Sequence, residues 1–345
     1  MTRSVIVRVA SRVLETLRTA WLMVGITLLL FFGLEFGYRA WSGARRAIAG
    51  PVRPPVDMRE FPFHGQQWYR EFQRESARRT DRFDPYRGFW SRPMTGRWKN
   101  IDALGRRVTP QPPFDSSRAL RVLMLGGSTM FGFNVPDSMT IPALTAARLA
   151  ALGVRDVEVV NLGQGAFNVT QEAITLSLEL ARGATPAVAL FFDGQNDIQA
   201  LRAFGEPGHA FMEPRTQSLI DMGRRTMGQE VLGLGRHSAF VRRLQRVVDD
   251  ADADGTSTGT GVHEDPALCG SLARYYRETT RNIEGIARER GFDVVFVQQP
   301  MLGTTRKKPS RWEQYRLTQQ SPLFRVCAAS LDSAMAPLAG RRYLS

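Results

Sequence analysis

Cysteine and histidine are scarce: the chain carries two of the former, Cys269 and Cys327, and four of the latter. So few ligands exclude a disulfide-built scaffold and a four-cysteine zinc site. The two cysteines read as buried thiols, with pairing open only in an oxidising compartment. There is no internal repeat, and no zinc-finger, RNA-recognition or helix-turn-helix signature. Nor does any glycine-rich loop carry the lysine of a P-loop or the Gly-x-Gly-x-x-Gly spacing of a dinucleotide site. No cofactor and no metal are therefore expected.

What is present is ordinary globular composition, 43% hydrophobic and 23% charged, which argues against disorder, collagen and a polytopic membrane protein. The 345 residues allow one large domain with extensions or two small ones. The net charge of +13 is unevenly spread. Residues 1–118 hold 21 Lys and Arg against 10 Asp and Glu, whereas 119–345 hold 25 against 23. The basic excess thus lies ahead of the recognisable α/β pattern. Beside an apolar run it suits an anionic membrane surface better than nucleic acid.

Residues 19–34, TAWLMVGITLLLFFGL, contain no charge, and the run extends to 38 if Glu35 is tolerated near the interface. Twenty helical residues span ~30 Å, the thickness of a bilayer core, so 19–38 is expected to be a single membrane anchor. A cleaved signal peptide is the rival reading, but the run is long for its apolar core and no small-x-small site follows directly. Arg3, Arg8, Arg12 and Arg18 precede the run and Arg39, Arg45, Arg46 and Arg53 follow it, so charge leaves the orientation nearly tied. Residues 39–118 read as a Pro-, Arg- and aromatic-rich connecting region with one helical stretch at 66–79. Its Trp68, Tyr69, Tyr86, Trp90 and Trp98 are expected to pack on the following domain or at the membrane interface.

From residue 120 apolar runs alternate with helical patterns. The runs are RVLMLGG at 121–127, VEVVNLG at 157–163, VALFFDG at 188–194 and DVVFVQQP at 293–300, with helices at 141–152, 171–182, 272–290 and 312–335. That alternation predicts a parallel sheet covered on both faces, with a site at the carboxyl ends of its strands. The loops after the first three strands hold GGSTMFG (126–132), NLGQGAF (161–167) and GQND (194–197). Ser128, just past a strand end and flanked by glycines, suits a nucleophile or a simple helix cap.

The three loops resemble the first three sequence blocks of the SGNH hydrolases, the GDSL-like esterases and acyl hydrolases. Gly126-Gly127-Ser128 is similar to the Gly-Asp-Ser block with Gly for Asp, Gly194-Gln195-Asn196-Asp197 to the Gly-x-Asn-Asp block, and 161–166 to the block between them. The resemblance covers 120–345 and implies a three-layer α/β/α, flavodoxin-like domain at 119–345. It implies Ser128 as nucleophile, the Asn196 amide as an oxyanion donor, and a backbone N–H from Gly165 or Ala166 as another. Gly163, Ala166 and Gly194 would line the substrate. The second glycine of the middle block comes one residue early here, at Gly165, which leaves that donor open between 165 and 166. One such donor is worth ~3 kcal/mol of barrier in acyl transfer.

The family's base, an Asp-x-x-His after the last sheet strand, is absent. His64, His209, His237 and His263 all precede the fourth strand, and RRYLS at 341–345 reads as the opening of a fifth. The expectation is a fragment of an ester hydrolase; the alternative is an inactive SGNH-like binding module in an envelope assembly. The insertion 200–265 contains DDADADGTSTGTG at 249–261, which reads as a solvated spacer without the EF-hand spacing of a calcium loop. The location expected is the bacterial inner membrane, single-pass, with the domain periplasmic or extracellular. The partners expected are ester-bearing small molecules, glycans or lipids.

Overall fold

The computed structural model describes residues 3–49, 63, 65–210, 213, 262–305, 307–340 and 342–344, with side chains in the first span from 14 to 45. His64, His237 and the 249–261 stretch lie outside the described residues, as does most of the 200–265 insertion. The chain divides into two units, Met1–Pro54 with Met222–Ser257, and Pro55–Asp221 with Thr258–Ser345.

In the first unit one helix is described, α1 (Arg3–Ala49). Its stretch Leu14–Arg45 is long and apolar enough to cross a membrane, and the expected 19–38 run falls inside it. Glu35, the one acid in that run, is paired one turn on: Arg39 Nε donates to Glu35 Oε1 at 2.6 Å. Thr19 and Thr27 turn their hydroxyls back onto the carbonyls of Glu15 and Met23. Thr19, Thr27 and Glu35 thus find their partners within the helix, as an apolar surrounding would require.

The second unit opens with α2 (Gln67–Ser76) and an antiparallel hairpin, β1 (Asp81–Asp84) with β2 (Gly88–Ser91). A five-stranded sheet follows, built from β3 (Leu120–Gly126), β4 (Val157–Asn161), β5 (Val188–Asp193), β6 (Asp293–Gln298) and β7 (Tyr343–Leu344). The spatial order is β4-β3-β5-β6-β7 with every pairing parallel. Counted along the chain that is 2-1-3-4-5, the flavodoxin-like order of a doubly wound sheet.

Side-chain alternation along β3 explains the layers. Leu123 and Leu125 belong to a core shared with α5 (Val169–Ala181), α6 (Gln195–Phe204), α7 (Leu268–Arg290) and α9 (Leu323–Met335). Met124 points the other way, into a smaller cluster with Met130 of α3 (Ser128–Phe131), Ala146 of α4 (Ile141–Ala151) and Val159. The result is the expected three-layer α/β/α arrangement. The single helical stretch expected at 312–335 is two helices, α8 (Arg311–Gln319) and α9, separated just before Pro322, which disfavours helical backbone in the residue ahead of it.

Cys269 on α7 and Cys327 on α9 are joined in a disulfide, which corrects the expectation of two free thiols. Packing of the two helices in the larger core brings their Cα atoms to 4.6 Å, within bonding range. Residues 63–118 are likewise folded onto the sheet unit. Arg107 forms an antiparallel bridge to Asn161, and the Gln111 amide accepts from Val159 N at 2.8 Å. These contacts cover the outer edge of β4, which would otherwise present unpaired backbone groups. Trp90, one of the five aromatics singled out above, is buried against Phe167, with ring centroids 5.9 Å apart.

Candidate active site

Because β3, β4 and β5 are parallel neighbours, the loops that follow them emerge at one edge of the sheet. β3 ends at Gly126, and Ser128 opens the one-turn helix α3. Asn196 lies in the first turn of α6. The two meet across Gly127: a methyl group built there would sit 2.2 Å from Asn196 Nδ2 and 3.3 Å from the Phe167 carbonyl oxygen. Only glycine leaves room for the amide. Covalent geometry then holds Ser128 Oγ within about 10 Å of Asn196 Nδ2. Asn196 Nδ2 donates one N–H to Phe167 O at 2.7 Å, and the second N–H remains for a ligand.

The middle loop is pressed against α3. A methyl group on Gly163 would meet Phe131 N at 2.4 Å, and its own N–H is taken by Asn161 Oδ1 at 2.9 Å. Gly163 therefore serves close packing, and its N–H is not available to a substrate. The Gln164 N–H donates to Gly126 O at 3.0 Å. The next two, on Gly165 and Ala166, make no hydrogen bond among the described residues, and both residues are half-buried. Ala166 has φ of 60°, a left-handed conformation that favours glycine, at the position where the resembled block carries its second glycine. Ala166→Gly is accordingly expected to stabilise the protein by about 0.5–1 kcal/mol in chemical denaturation, and a loss of stability would show that the strain is not there. Gly194, the remaining candidate, has φ of 107° and donates its N–H to Asp197 Oδ2 at 3.1 Å.

Ser128 Oγ has no hydrogen-bond partner among the described residues. His209 does not supply one, because its ring nitrogens lie 2.9 Å from Glu206 and Glu213, whose carboxylates raise its pKa. His263 packs against Gly205, at the opposite end of α6 from Asn196. The loop after β6 does reach α3: Gln299 Nε2 donates to Thr129 Oγ1 at 2.8 Å.

The 63–118 region buttresses the site in ways that the sequence did not reveal. Ser91 Oγ donates to Gln164 Oε1 at 2.8 Å, and Gln164 Nε2 to Gly105 O at 3.1 Å. Arg107, wholly buried, donates to Asp137 Oδ1 at 2.5 Å and to the carbonyls of Phe131, Gly132 and Val135. Those carbonyls lie at and just beyond the end of α3, so this one guanidinium fastens the segment that begins with Ser128. Lys99, beside it, donates to Phe133 O at 3.1 Å, and burial together with Arg107 and Arg79 pushes its pKa down to about 7.

A buried acid cluster lies beneath the loops. It joins Asp193 at the end of β5, Asp197 of α6 and Glu172 of α5, and the Tyr276 hydroxyl of α7 donates to Asp193 Oδ1 at 2.5 Å. Burial, then the neighbouring carboxylates, raises Glu172 well above its ordinary value and Asp193 to about 8; burial raises Asp197 to about 6. As ionised groups, both Glu172 oxygens and Asp193 Oδ2 would be buried without partners. Protonation lowers the cost of burying them, and that is the direction in which burial moves both groups.

Acids with raised folded-state pKa values bind protons more tightly than the unfolded chain does. Their stabilisation is complete in acid and is lost as pH rises through about 8. Glu172→Gln, which mimics the protonated acid, is expected to raise the melting temperature at pH 9 by several degrees, on the order of 1–3 kcal/mol, with the gain vanishing toward pH 5. Equal melting curves at pH 9 would show that Glu172 is not the proton holder. Among the described residues no group of three or more His, Cys, Asp or Glu is placed to hold a metal ion.

Comparison with protein-family models and with curated proteins gives no match. Among solved structures the chain is similar to the acetyl xylan esterase AlAXEase, at 11% identity over 63% of this chain and 73% of that one, TM-score 0.31. It is similar also to AlinE4, an SGNH-hydrolase family esterase, at 12% over 65% and 81%, TM-score 0.28. A member of the lipolytic G-D-S-L protein family from Veillonella parvula aligns at 14% over 65% and 100%, TM-score 0.23.

Proposed function

We propose that the chain is a membrane-anchored serine ester hydrolase of the SGNH type, acting on acyl or acetyl esters of cell-envelope glycans or lipids. The observation that carries this reading is the meeting of three loops across Gly127, which sets the Asn196 amide beside Ser128 with two uncommitted backbone N–H groups in the adjoining loop. In that reading Ser128 Oγ attacks the ester carbonyl. The carbonyl oxygen gains the negative charge, and Ser128 N–H, the Gly165 or Ala166 N–H and the Asn196 amide stabilise it. Collapse of the tetrahedral intermediate expels the alcohol, which takes up the proton that Ser128 Oγ gives up, and water then hydrolyses the acyl-serine to the free acid and restores the Ser128 hydroxyl. Loss of p-nitrophenyl acetate hydrolysis on Ser128→Ala is the expected result, and full retention would end the proposal.

A second reading, a binding module of the same fold, is favoured by one observation: no described histidine hydrogen-bonds Ser128. The hydrolysis assay separates the two, since a binding module shows no rate that depends on Ser128.

The location proposed is outside the cytoplasm, with α1 as the anchor. The Cys269–Cys327 bond supports it, because disulfides persist in oxidising compartments. The chain is expected to resist alkaline carbonate extraction, and its second unit to be cut by protease added to spheroplasts. Release into the soluble fraction, or full protection, would overturn the location.

A further inference from the structure

Asn196 and Asp197 are adjacent in the first turn of α6, and between them they grip both sides of one short segment. Asn196 Nδ2 donates to Phe167 O at 2.7 Å, while Asp197 Oδ1 accepts from Val169 N at 3.1 Å. The other Asp197 oxygen accepts from Gly194 N, also at 3.1 Å. One carboxylate therefore ties the start of α5, which follows the middle loop, to the turn that presents Asn196. Val169 is the first residue of α5 and Gly194 precedes α6, so neither N–H has a partner within its own helix. Two helix starts share one acceptor.

A carboxylate at that depth is costly unless its neighbours are neutral. Asp197 is only 4% exposed, and the groups facing it are Glu172 on α5, Asp193 on β5 and Tyr276 on α7. Further out, Tyr343 of β7 bonds Asp332 of α9 and feels Asp193. No cation is among these. Three ionised acids in one apolar pocket would repel one another, and burial raises all three above their ordinary values.

We propose, building on the esterase reading, that Asp197 is the positioning residue of the oxyanion site: its carboxylate clamps the N–H groups of Gly194 and Val169. The clamp has no contact with substrate. It acts by fixing the spacing between Asn196 and the 163–167 loop, the two sources of donors that must converge on one oxygen. A shift of even 1 Å in such donors forfeits much of their effect.

The test uses the full chain and Asp197→Asn, Asp197→Glu and Glu172→Gln. Backbone amide exchange is followed at Gly194 and Val169, and p-nitrophenyl acetate hydrolysis is corrected for the Ser128→Ala rate. Asp197→Asn, which keeps one acceptor oxygen, is expected to expose at least one of the two amides, with exchange at least tenfold faster, and to lower kcat at least tenfold with KM within twofold. Asp197→Glu should recover part of both effects. Glu172→Gln, neutral like the protonated acid, should leave the exchange and kcat at pH 7 unchanged. Protected amides in Asp197→Asn, or exposed amides with unchanged kcat, would overturn the proposal.

Asp197→Asn, with one acceptor oxygen lost at a buried site, can fail to fold. Asp197→Glu then decides in place of Asp197→Asn: its longer side chain displaces the carboxylate, so faster exchange at both amides together with a lower kcat is expected, and wild-type exchange would refute the clamp. Should the wild type show no Ser128-dependent hydrolysis, the esterase reading fails, and amide exchange alone then rules on the clamp.

Discussion

Asn196→Ala is expected to lower kcat for p-nitrophenyl acetate by about 10²–10³-fold while changing KM little, because the amide is worth most when the carbonyl oxygen carries full negative charge. Gly127→Ala should act in the same direction for a steric reason. The added methyl group falls on Asn196 Nδ2 and drives it from its seat against Phe167 O. Asn196 is the movable end of that contact, so Gly127→Ala should leave the melting temperature nearly unchanged. Parallel losses of kcat without loss of fold would tie the rate to the position of one amide. An Asn196→Ala enzyme within threefold of wild type would show that the oxyanion is held elsewhere.

Arg107→Ala is expected to be the most damaging change to stability, at about 3–5 kcal/mol. Among the described residues it leaves the buried Asp137 carboxylate with only Asn100 as hydrogen-bond donor, and it takes the donor away from three carbonyls around the end of α3. Since folded domains are stable by only about 5–15 kcal/mol, that loss is a large share of the total. The neighbouring Arg106→Ala serves as the control. Arg106 pairs with Asp102 at 2.8 Å in a partly exposed setting, where an ion pair contributes about 1 kcal/mol or less. Urea melts of the two variants should differ by at least 2 kcal/mol, and equal melts would mean that Arg107 is not the fastener described.

The sheet was legible because each strand is a short apolar run bounded by glycine or a polar turn, and β3 to β6 begin and end within about two residues of the runs read from sequence. The site loops were legible for the same reason, since the C-terminal end of each run fixes where its loop must lie. What escaped notice depends on contacts between distant residues. Arg107 and Asp137 are thirty positions apart, and in a Pro- and Arg-rich stretch nothing marks one arginine as the buried one. The Cys269–Cys327 pairing follows from the register of α7 on α9, which no single helix pattern contains. The glycine requirement at 127 comes from a side chain sixty-nine residues further on. Helix α6 is not legible because its polar first turn, Gln195 to Asp197, reads as loop while Asp197 caps the helix. The left-handed backbone at Ala166 was hidden because alanine does not announce it.

The most direct measurement is peptide mapping by mass spectrometry after reaction of the intact protein with a fluorophosphonate, whose phosphonyl group copies the tetrahedral intermediate of ester hydrolysis. A single adduct on Ser128, formed at least tenfold more slowly in Asn196→Ala, is the result predicted. An adduct on another residue, or no adduct after prolonged exposure of the folded chain, would contradict the assignment of Ser128 as nucleophile.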